Sequence, residues 1–431
     1  MVSQERITKL TPQTGQTVWA QVGNVIDGVS TAPKQDAHIV YNDHEILYIG
    51  DANVLPPATL FDNGKQAPDV VLPEMTVLPG LIEAHAHLFL EGGELDADKR
   101  KAYLQQDADT LLEHANRRLE KLVRLGIMGV RDAGDKDGVG LALSKLYKSN
   151  DRPIMPYLDS PGAAIHREGR YGRFMGETLE SHSDAAACVA HRVALGADRI
   201  KLIPTGIINF AKGEVTAKPQ MSGPDVATLV AASKALNKQT FAHASGSDGI
   251  ENAIEGGVDS LEHAFFVTDA QLAKMRDQDI AWIPTFAPVQ KQVNHVEIMG
   301  WSDEIIGHLK RILDNHATSL MKAHEMGVKV IAGSDAGSYG VAHGVDFIYE
   351  LALMAAAGMR NIDVINAATG VSSGRLGYHE NIGQLKAGFK SRMIFTQHNP
   401  LVSISNLLKP KWSLFDGELL SATLEDNNQG L

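Results

Sequence analysis

Cysteine is almost missing from this chain: Cys188 is the single one among 431 residues. No intrachain disulfide is possible, a cysteine zinc cluster is excluded by count, and the fold needs no oxidising compartment. Cys188 itself sits in Ala-Ala-Ala-Cys-Val-Ala, which reads as a helix interior and a small buried hydrophobe rather than a nucleophile. Positive charge is also short. Forty Lys and Arg face 52 Asp and Glu, a formal net charge of −12, so no cationic excess is available for nucleic-acid phosphates or an anionic membrane surface. No run approaches the ~18 apolar residues of a membrane-spanning helix. The first residues lack the basic start and apolar run of a signal peptide. No Gly-x-Gly-x-x-Gly fingerprint follows a predicted strand, which removes the dinucleotide-site reading. These absences predict a cytoplasmic protein whose partners are small molecules.

What is present has two textures. Residues 17–22, 24–28, 38–41 and 46–49 alternate apolar and polar positions around an Asn42-Asp43 turn, the pattern of short strands and a hairpin. From about residue 80, short apolar runs alternate with amphipathic stretches. Strands are expected at 81–87, 127–133, 154–158, 199–204, 240–244, 259–265, 280–285 and 328–333. Helical patterns fall at 110–125, 224–237, 270–276 and 304–326, and again at 345–357 and 362–368. Eight strand–helix units over ~300 residues fit a closed (β/α)8 TIM barrel better than an open sheet. Strand texture returns at 393–396 and 412–415. The expected fold class is therefore α/β: a barrel over 79–378, with a small β-sandwich domain assembled from segments 1–78 and 379–431. The polar tail 425–431 is expected to fray.

His85-Ala86-His87 closes the first of these strands. Residues two apart on a strand face one side, so both imidazoles point together, and two neutral imidazoles suit Zn2+ or a similar ion. Alone the pair fits surface or packing histidines as well. His243, His263 and Asp335 each fall at the end of a later predicted strand, the end where active sites of this barrel class lie. Lys201 alternates with Ile200 and Leu202 and so faces inward. A buried lysine is costly unless it is paired or uncharged; it reads either as the partner of a carboxylate or as an amine that has reacted with CO2 to give a carbamate.

The stretch Val77-Leu78-Pro79-Gly80-Leu81-Ile82-Glu83-Ala84-His85-Ala86-His87 resembles the first-strand motif of the amidohydrolase superfamily. Lys201, His243, His263 and Ser334-Asp335 follow in that family's order. The resemblance extends to Asn24-Val25-Ile26-Asp27-Gly28, to Asn381-Ile382-Gly383 and to Asp416-Gly417, and within the superfamily it points to imidazolonepropionase-related and prolidase-like dipeptidase enzymes. It implies that His85, His87 and Asp335 bind a buried metal and that His243 and His263 bind a more exposed one. A carboxylated Lys201 would bridge the two, Asp335 would serve as general base and acid, and the ions would be two Zn2+. It also implies a homo-oligomer. Two departures stand out: Glu83 replaces a more usual Asp, and Phe389-Lys390-Ser391-Arg392-Met393 replaces a Lys-x-Ala-Asp-Leu pattern.

The chemistry so implied is hydrolysis of an amide or peptide-like C–N bond by metal-activated water, by a dipeptidase or N-acyl amino acid hydrolase. Cyclic amides, ureas and carbamates are alternative substrates. Deamination is disfavoured, because Gly246 stands where a deaminase of this superfamily usually has Glu and because Lys201 is present. His166, in the long loop 160–171, resembles a substrate-binding histidine. Arg131, at the end of the second strand, is a candidate for a substrate carboxylate or for an ion pair with Asp132 or Asp135. Glu91 and Glu94 would instead favour a cationic substrate, or are solvated. Gly370-Val371-Ser372-Ser373-Gly374 matches a serine-hydrolase elbow, but helical pattern precedes it where a strand is needed. A non-catalytic scaffold is the other competing class, and retention of all six ligand positions opposes it.

Overall fold

A computed structural model of the chain describes residues 3–61, 64–149, 151–378 and 380–422; the tail 425–431 lies outside them. Period-two alternation near the start folds as expected. Strands β1 (Val18–Val25), β2 (Lys34–Tyr41) and β3 (Ile46–Gly50) pair antiparallel in succession. Val18, Ala20, Val22, Ile39 and Tyr41 enter one apolar cluster. Trp19 and Val40, one residue out of phase, enter another on the opposite face with Phe61. Strand β4 (Val70–Pro79) runs parallel to β1 and continues through Gly80 into β5 (Leu81–Ala86). The close packing of Met128 requires glycine at that junction, since a Cβ on Gly80 would lie 2.4 Å from its sulfur.

From β5 the chain alternates parallel strands and helices. Strands β6 (Ile127–Asp132) and β7 (Tyr157–Asp159) join β5 in one three-stranded sheet. A second sheet has the order β13-β12-β11-β10-β8-β9. Its strands are β8 (Ala164–His166), β9 (Gly176–Thr178), β10 (Ile200–Leu202), β11 (Thr240–Ala244), β12 (Ser260–His263) and β13 (Ala281–Ile283). The helices Ala108–Arg124, Gly223–Ala235, Asp269–Asp277 and Asp303–Met326 start within two residues of their expected positions. The side chains of Asp107, Ser222, Thr268 and Ser302 accept hydrogen bonds from the first-turn amides and fix those starts. The expected strand at 328–333 is not a regular one. Instead Trp282 bridges Val330 and Ala86 bridges Ala336, so this segment ties β13 to β5. Its backbone is still paired with both neighbours, through Ile331 N to the Trp282 carbonyl at 2.9 Å and Ala84 N to the Ala332 carbonyl at 2.9 Å, but the Ala332 amide turns to the Ala367 carbonyl at 3.1 Å and breaks the regular ladder. Between β7 and β10 the ties are an Asp198 amide donating to the Ser160 carbonyl at 2.8 Å and an Arg199–Asp159 ion pair at 2.7 Å. Strands β8 and β9 lie beyond the glycine-rich loop start and were not foreseen, because three residues are too few to show a period.

The chain then returns to its beginning. Strands β14 (Met393–Thr396), β15 (Lys411–Phe415) and β16 (Glu418–Ala422) extend the first layer, with β14 antiparallel to β4. Hydrogen bonding joins all seven strands in the order β16-β15-β14-β4-β1-β2-β3, with β4 paired on both edges. The layer curls over one apolar cluster: the rings of Tyr41 on β2 and Phe395 on β14, three strands apart in that order, lie 6.4 Å from each other, and Glu45, just before β3, bridges Lys390. The unusual Arg392 is buried there. It pairs with Asp416 at 2.7 Å and donates to the Tyr147 hydroxyl at 3.1 Å.

Candidate metal centre

The C-terminal ends of the strands open on a cavity of about 290 Å3. His85, His87, Lys201, His243, His263 and Asp335 all line it. Donor atoms of His85, His263 and Asp335 lie within 4.8 Å of one another. The Nε2 atoms of His85 and His87 sit 3.4 and 3.5 Å from Asp335 Oδ1, and the rings of His243 and His263 are 4.7 Å apart.

Each ring is held by its other nitrogen. His85 Nδ1 faces Glu262 Oε2 at 2.5 Å, His87 Nδ1 the Gly134 carbonyl at 3.0 Å, and His263 Nδ1 the Thr285 hydroxyl at 2.7 Å. These contacts leave three Nε2 atoms for the cavity. His243 is turned the other way, with Nε2 on the Gly206 carbonyl at 3.2 Å and Nδ1 left over. Burial lowers His87 to about 4 and His243 to about 3, and it also holds His263 well below the ordinary imidazole value; these rings are neutral at pH 7, as metal ligands must be. Burial pushes the Asp335 carboxyl up, but the His85 hydrogen bond and the charges of His85, His87 and Lys201 outweigh it and keep the group ionised. Burial lowers Lys201 to about 8, against the pull of Glu262. Neutral imidazoles, a carboxylate and an amine that gives up its proton more readily than an ordinary lysine form, on one cavity floor, a donor set that fits divalent cations.

The backbone at the strand ends is strained. His263, Thr285 and Asp335 have φ of 66°, 52° and 58°, left-handed values that cost about 1–3 kcal/mol each outside glycine. Of the three side chains, His263 and Asp335 line the cavity, while Thr285 stands behind His263 and holds its ring.

Glu262 was not foreseen. It is fully buried and lies between His85 and Arg131, with both Arg131 Nη2–carboxylate distances at 2.8 Å. Burial raises its carboxyl, but Arg131 and His85 bring it down to about 2. The neighbouring His263 in β12 drew attention, whereas Glu262 faces the other way along the same strand and its partners are 131 and 177 residues distant. Arg131 accordingly takes neither role expected of it. Its guanidinium is 1% exposed and does not line the cavity. It donates to the Ala84 carbonyl at 2.6 Å, to Ser260 Oγ at 2.9 Å and to Glu262, so a substrate carboxylate has no access to it, and its ion-pair partner is Glu262 rather than Asp132 or Asp135. Glu83 accepts from the amides of His85 and Ser334 at 3.0 and 2.9 Å and from the Ser334 hydroxyl at 2.6 Å. The longer acid thus stitches the first strand to the last.

His166 ends β8 and is buried behind the cavity wall. Its Nδ1 meets the Arg167 carbonyl at 2.9 Å and its Nε2 has no partner; it is not among the lining residues. From the same loop Tyr171 does line the cavity, with its ring 5.4 Å from that of His243. Glu94 is spent on the amides of Leu95 and Asp96. Gly246 caps the helix Ser247–Glu255 and stands outside the cavity, so no acid occupies a deaminase position. Ser372 lies inside the helix Gly370–Leu376, buried and donating to the Ala367 carbonyl at 2.6 Å, which removes the serine-nucleophile reading. Burial raises the Cys188 thiol to about 11, consistent with an inert packing residue.

Comparisons with known proteins agree with this geometry. A model described as "Amidohydrolase family" matches residues 76–416. An uncharacterized protein of Mycobacterium tuberculosis is 26% identical over 302 residues, covering 70% of this chain and 74% of its own. Ochratoxinase of Aspergillus niger is 24% identical over 415 residues, covering 88% of this chain and 81% of the enzyme. Among solved structures, an Xaa-Pro dipeptidase with bound methionine in its active site superposes with a TM-score of 0.77 at 23% identity, over 94% of this chain and all of the other.

Proposed function

We propose, from the premise that this chain belongs to the amidohydrolase family, that it cleaves an amide or peptide-like bond in a small molecule as a prolidase-like dipeptidase or an N-acyl amino acid hydrolase. By family it is a metal-dependent hydrolase of carbon–nitrogen bonds. We read the two parallel arcs and the segment 329–336 as one (β/α)8 barrel over residues 79–378, flanked by the sheet built from 1–78 and 379–431.

The observation that carries the reading is the convergence of His85, His263 and Asp335 donor atoms within 4.8 Å on the cavity floor. His85, His87 and Asp335 would hold one divalent ion, and His243 and His263 a second, with Zn2+ proposed for both. Ions bound there would acidify a water and polarise the scissile carbonyl. Lys201, lowered to about 8 by burial, has an accessible neutral amine. That nitrogen can add to CO2 and lose its proton, giving an anionic carbamate between the two ligand sets. Asp335, ionised and facing the imidazoles, takes a proton from the attacking water and delivers it to the leaving nitrogen. Support for a peptide-like bond comes from the dipeptidase neighbour and from a cavity whose walls are largely apolar, with few polar groups beyond the ligand set. A homo-oligomer in the cytoplasm belongs to the same proposal and is tested by light scattering and fractionation.

The deciding experiment is elemental analysis of the purified protein, followed by turnover on dipeptides, N-acyl amino acids, cyclic amides, ureas and carbamates with and without a chelator. Stoichiometric divalent metal and chelator-sensitive hydrolysis of dipeptides or N-acyl amino acids is the expected result. Protein that hydrolyses them equally well after metal removal overturns the reading.

A further inference from the structure

Among the described residues one guanidinium lines the cavity. Arg100, on the short helix Ala97–Tyr103 that follows the His85-Ala86-His87 strand, reaches back to its wall. Its Nη1 donates to the Glu91 carbonyl at 3.2 Å and its Nη2 to the Gly337 carbonyl at 3.0 Å, and the guanidinium lies 5.2 Å from the ring centre of Tyr339. These partners are neutral. Among the described residues no carboxylate makes an ion pair with it; the nearby Glu94 is committed to its own loop amides and to Lys99 at 3.5 Å. Glu91, Glu94 and Asp335 act on this part-buried cation from a distance, but its direct hydrogen-bond partners are carbonyls, which leaves N–H donors for an anion in the cavity.

A second group points the same way. Ser338 follows the Gly337 that fixes Arg100 and lines the same cavity, and its buried hydroxyl has no hydrogen-bond partner. Buried polar atoms are seldom left unpaired. Much of the remaining wall is apolar, from Phe174, Ile207, Ile208, Phe210, Phe265 and Val289.

We propose that Arg100 and Ser338 form a subsite for the free carboxylate of the substrate, so that the enzyme selects N-acyl amino acids or dipeptides with an unblocked C-terminus and a bulky apolar group. This rests on the amide-hydrolase reading above but is separable from it. Arg100 thereby takes the role that its position on a strand end suggested for Arg131. The sequence does not single out Arg100, because the partners that hold it, the Gly337 and Glu91 carbonyls, are backbone groups that carry no sequence signal.

The test is calorimetric binding of a non-hydrolysable ketone isostere of N-benzoyl-L-phenylalanine, with CH2 in place of the amide NH, and of its carboxamide, to the metal-loaded protein. The wild type is expected to prefer the acid by at least about tenfold, the scale of one charge-assisted hydrogen bond. Arg100→Ala should bring that preference within about threefold, Arg100→Lys should retain part of it, and Ser338→Ala should reduce it. Should Arg100→Ala not fold, Arg100→Gln, which keeps the aliphatic stem and a polar head but removes the charge, replaces it. A wild type that does not distinguish acid from amide overturns the proposal. So does a preference that survives loss of Arg100, which would assign the carboxylate to the metal ions. Turnover of the parent N-benzoyl-L-phenylalanine is scored separately: acid-selective binding without any C–N hydrolysis would overturn the functional reading and leave the subsite standing.

Discussion

Replacing Arg131 by Met should damage the enzyme through Glu262 and His85, not through substrate binding. The guanidinium is 1% exposed and fills both oxygens of Glu262, while the same carboxylate orients His85 at 2.5 Å. Removing one partner of a buried pair costs about 3–5 kcal/mol, because the other charge stays buried. Methionine fills much of the volume, so the cost is mainly electrostatic. In the wild type Glu262 lies at about 2, below its ordinary 4.5. Its contribution to stability is therefore present above pH 4.5 and is lost as pH falls through 2. Without Arg131, burial acts with less opposition and raises the group. If the folded value passes 4.5 the sign reverses, and the variant loses stability as pH rises from 4.5 toward the new folded value. Denaturant unfolding from pH 5 to 8 should show wild type minus variant widening with pH; Glu83 and Glu350, raised by burial to about 7 and about 8, slope alike in both proteins and cancel in the difference. Metal affinity should also fall about 10–100-fold, as when a carboxylate behind a ligand histidine is disturbed. Arg131→Met with Glu262→Gln should recover much of the stability. A single variant within about 1 kcal/mol of wild type, with unchanged metal content, would refute the relay, since that is below the cost of an unpaired buried charge.

Asp335→Asn should retain most of its metal, since four imidazoles remain, while turnover falls ~10²–10⁴-fold; elemental analysis and initial rates check both halves. Native mass spectrometry of protein equilibrated with bicarbonate should find one added CO2. In metal-free protein its uptake should rise as pH passes about 8, where the Lys201 amine loses its proton, and Lys201→Ala should take up none. Gly333→Ala should destabilise the fold by about 1–3 kcal/mol by overpacking and should weaken metal binding, because the new methyl meets His85 Cβ at 2.8 Å; a metal titration and an unfolding curve decide it.

The legibility of the site followed from periodicity. His85 and His87 share a side because a strand has period two, and His243, His263 and Asp335 each close an apolar run, so the sequence exposes them together. Residues whose direction is set by distant partners stayed hidden. Arg131 was read as a strand-end cation, but Glu262, 131 residues away, claims it. Arg100 lies on a seven-residue helix too short to show a face. The left-handed backbone at His263, Thr285 and Asp335 has no marker, because glycine, which would announce it, is absent at all three. The segment 328–333 reads as a strand by composition and is bonded to its neighbours on both sides, yet the Ala332 amide goes to the distant Ala367 carbonyl, a partner that no local pattern marks.

The Glu83–Ser334 bonds join residues 251 apart in sequence. A contact of such long sequence separation forms only after a large loop of chain has been brought together, so it is a high-contact-order event and a slow one. The ligand His85 emerges early in synthesis and Asp335 late. A half-made chain therefore presents two histidines but no carboxylate to complete the floor, and with the proposed metal site, tight capture of an ion would wait until the segment 329–336 has docked. Acquisition of the ion would then report the end of folding, and truncation just before residue 334 should yield a chain that neither makes these bonds nor holds metal.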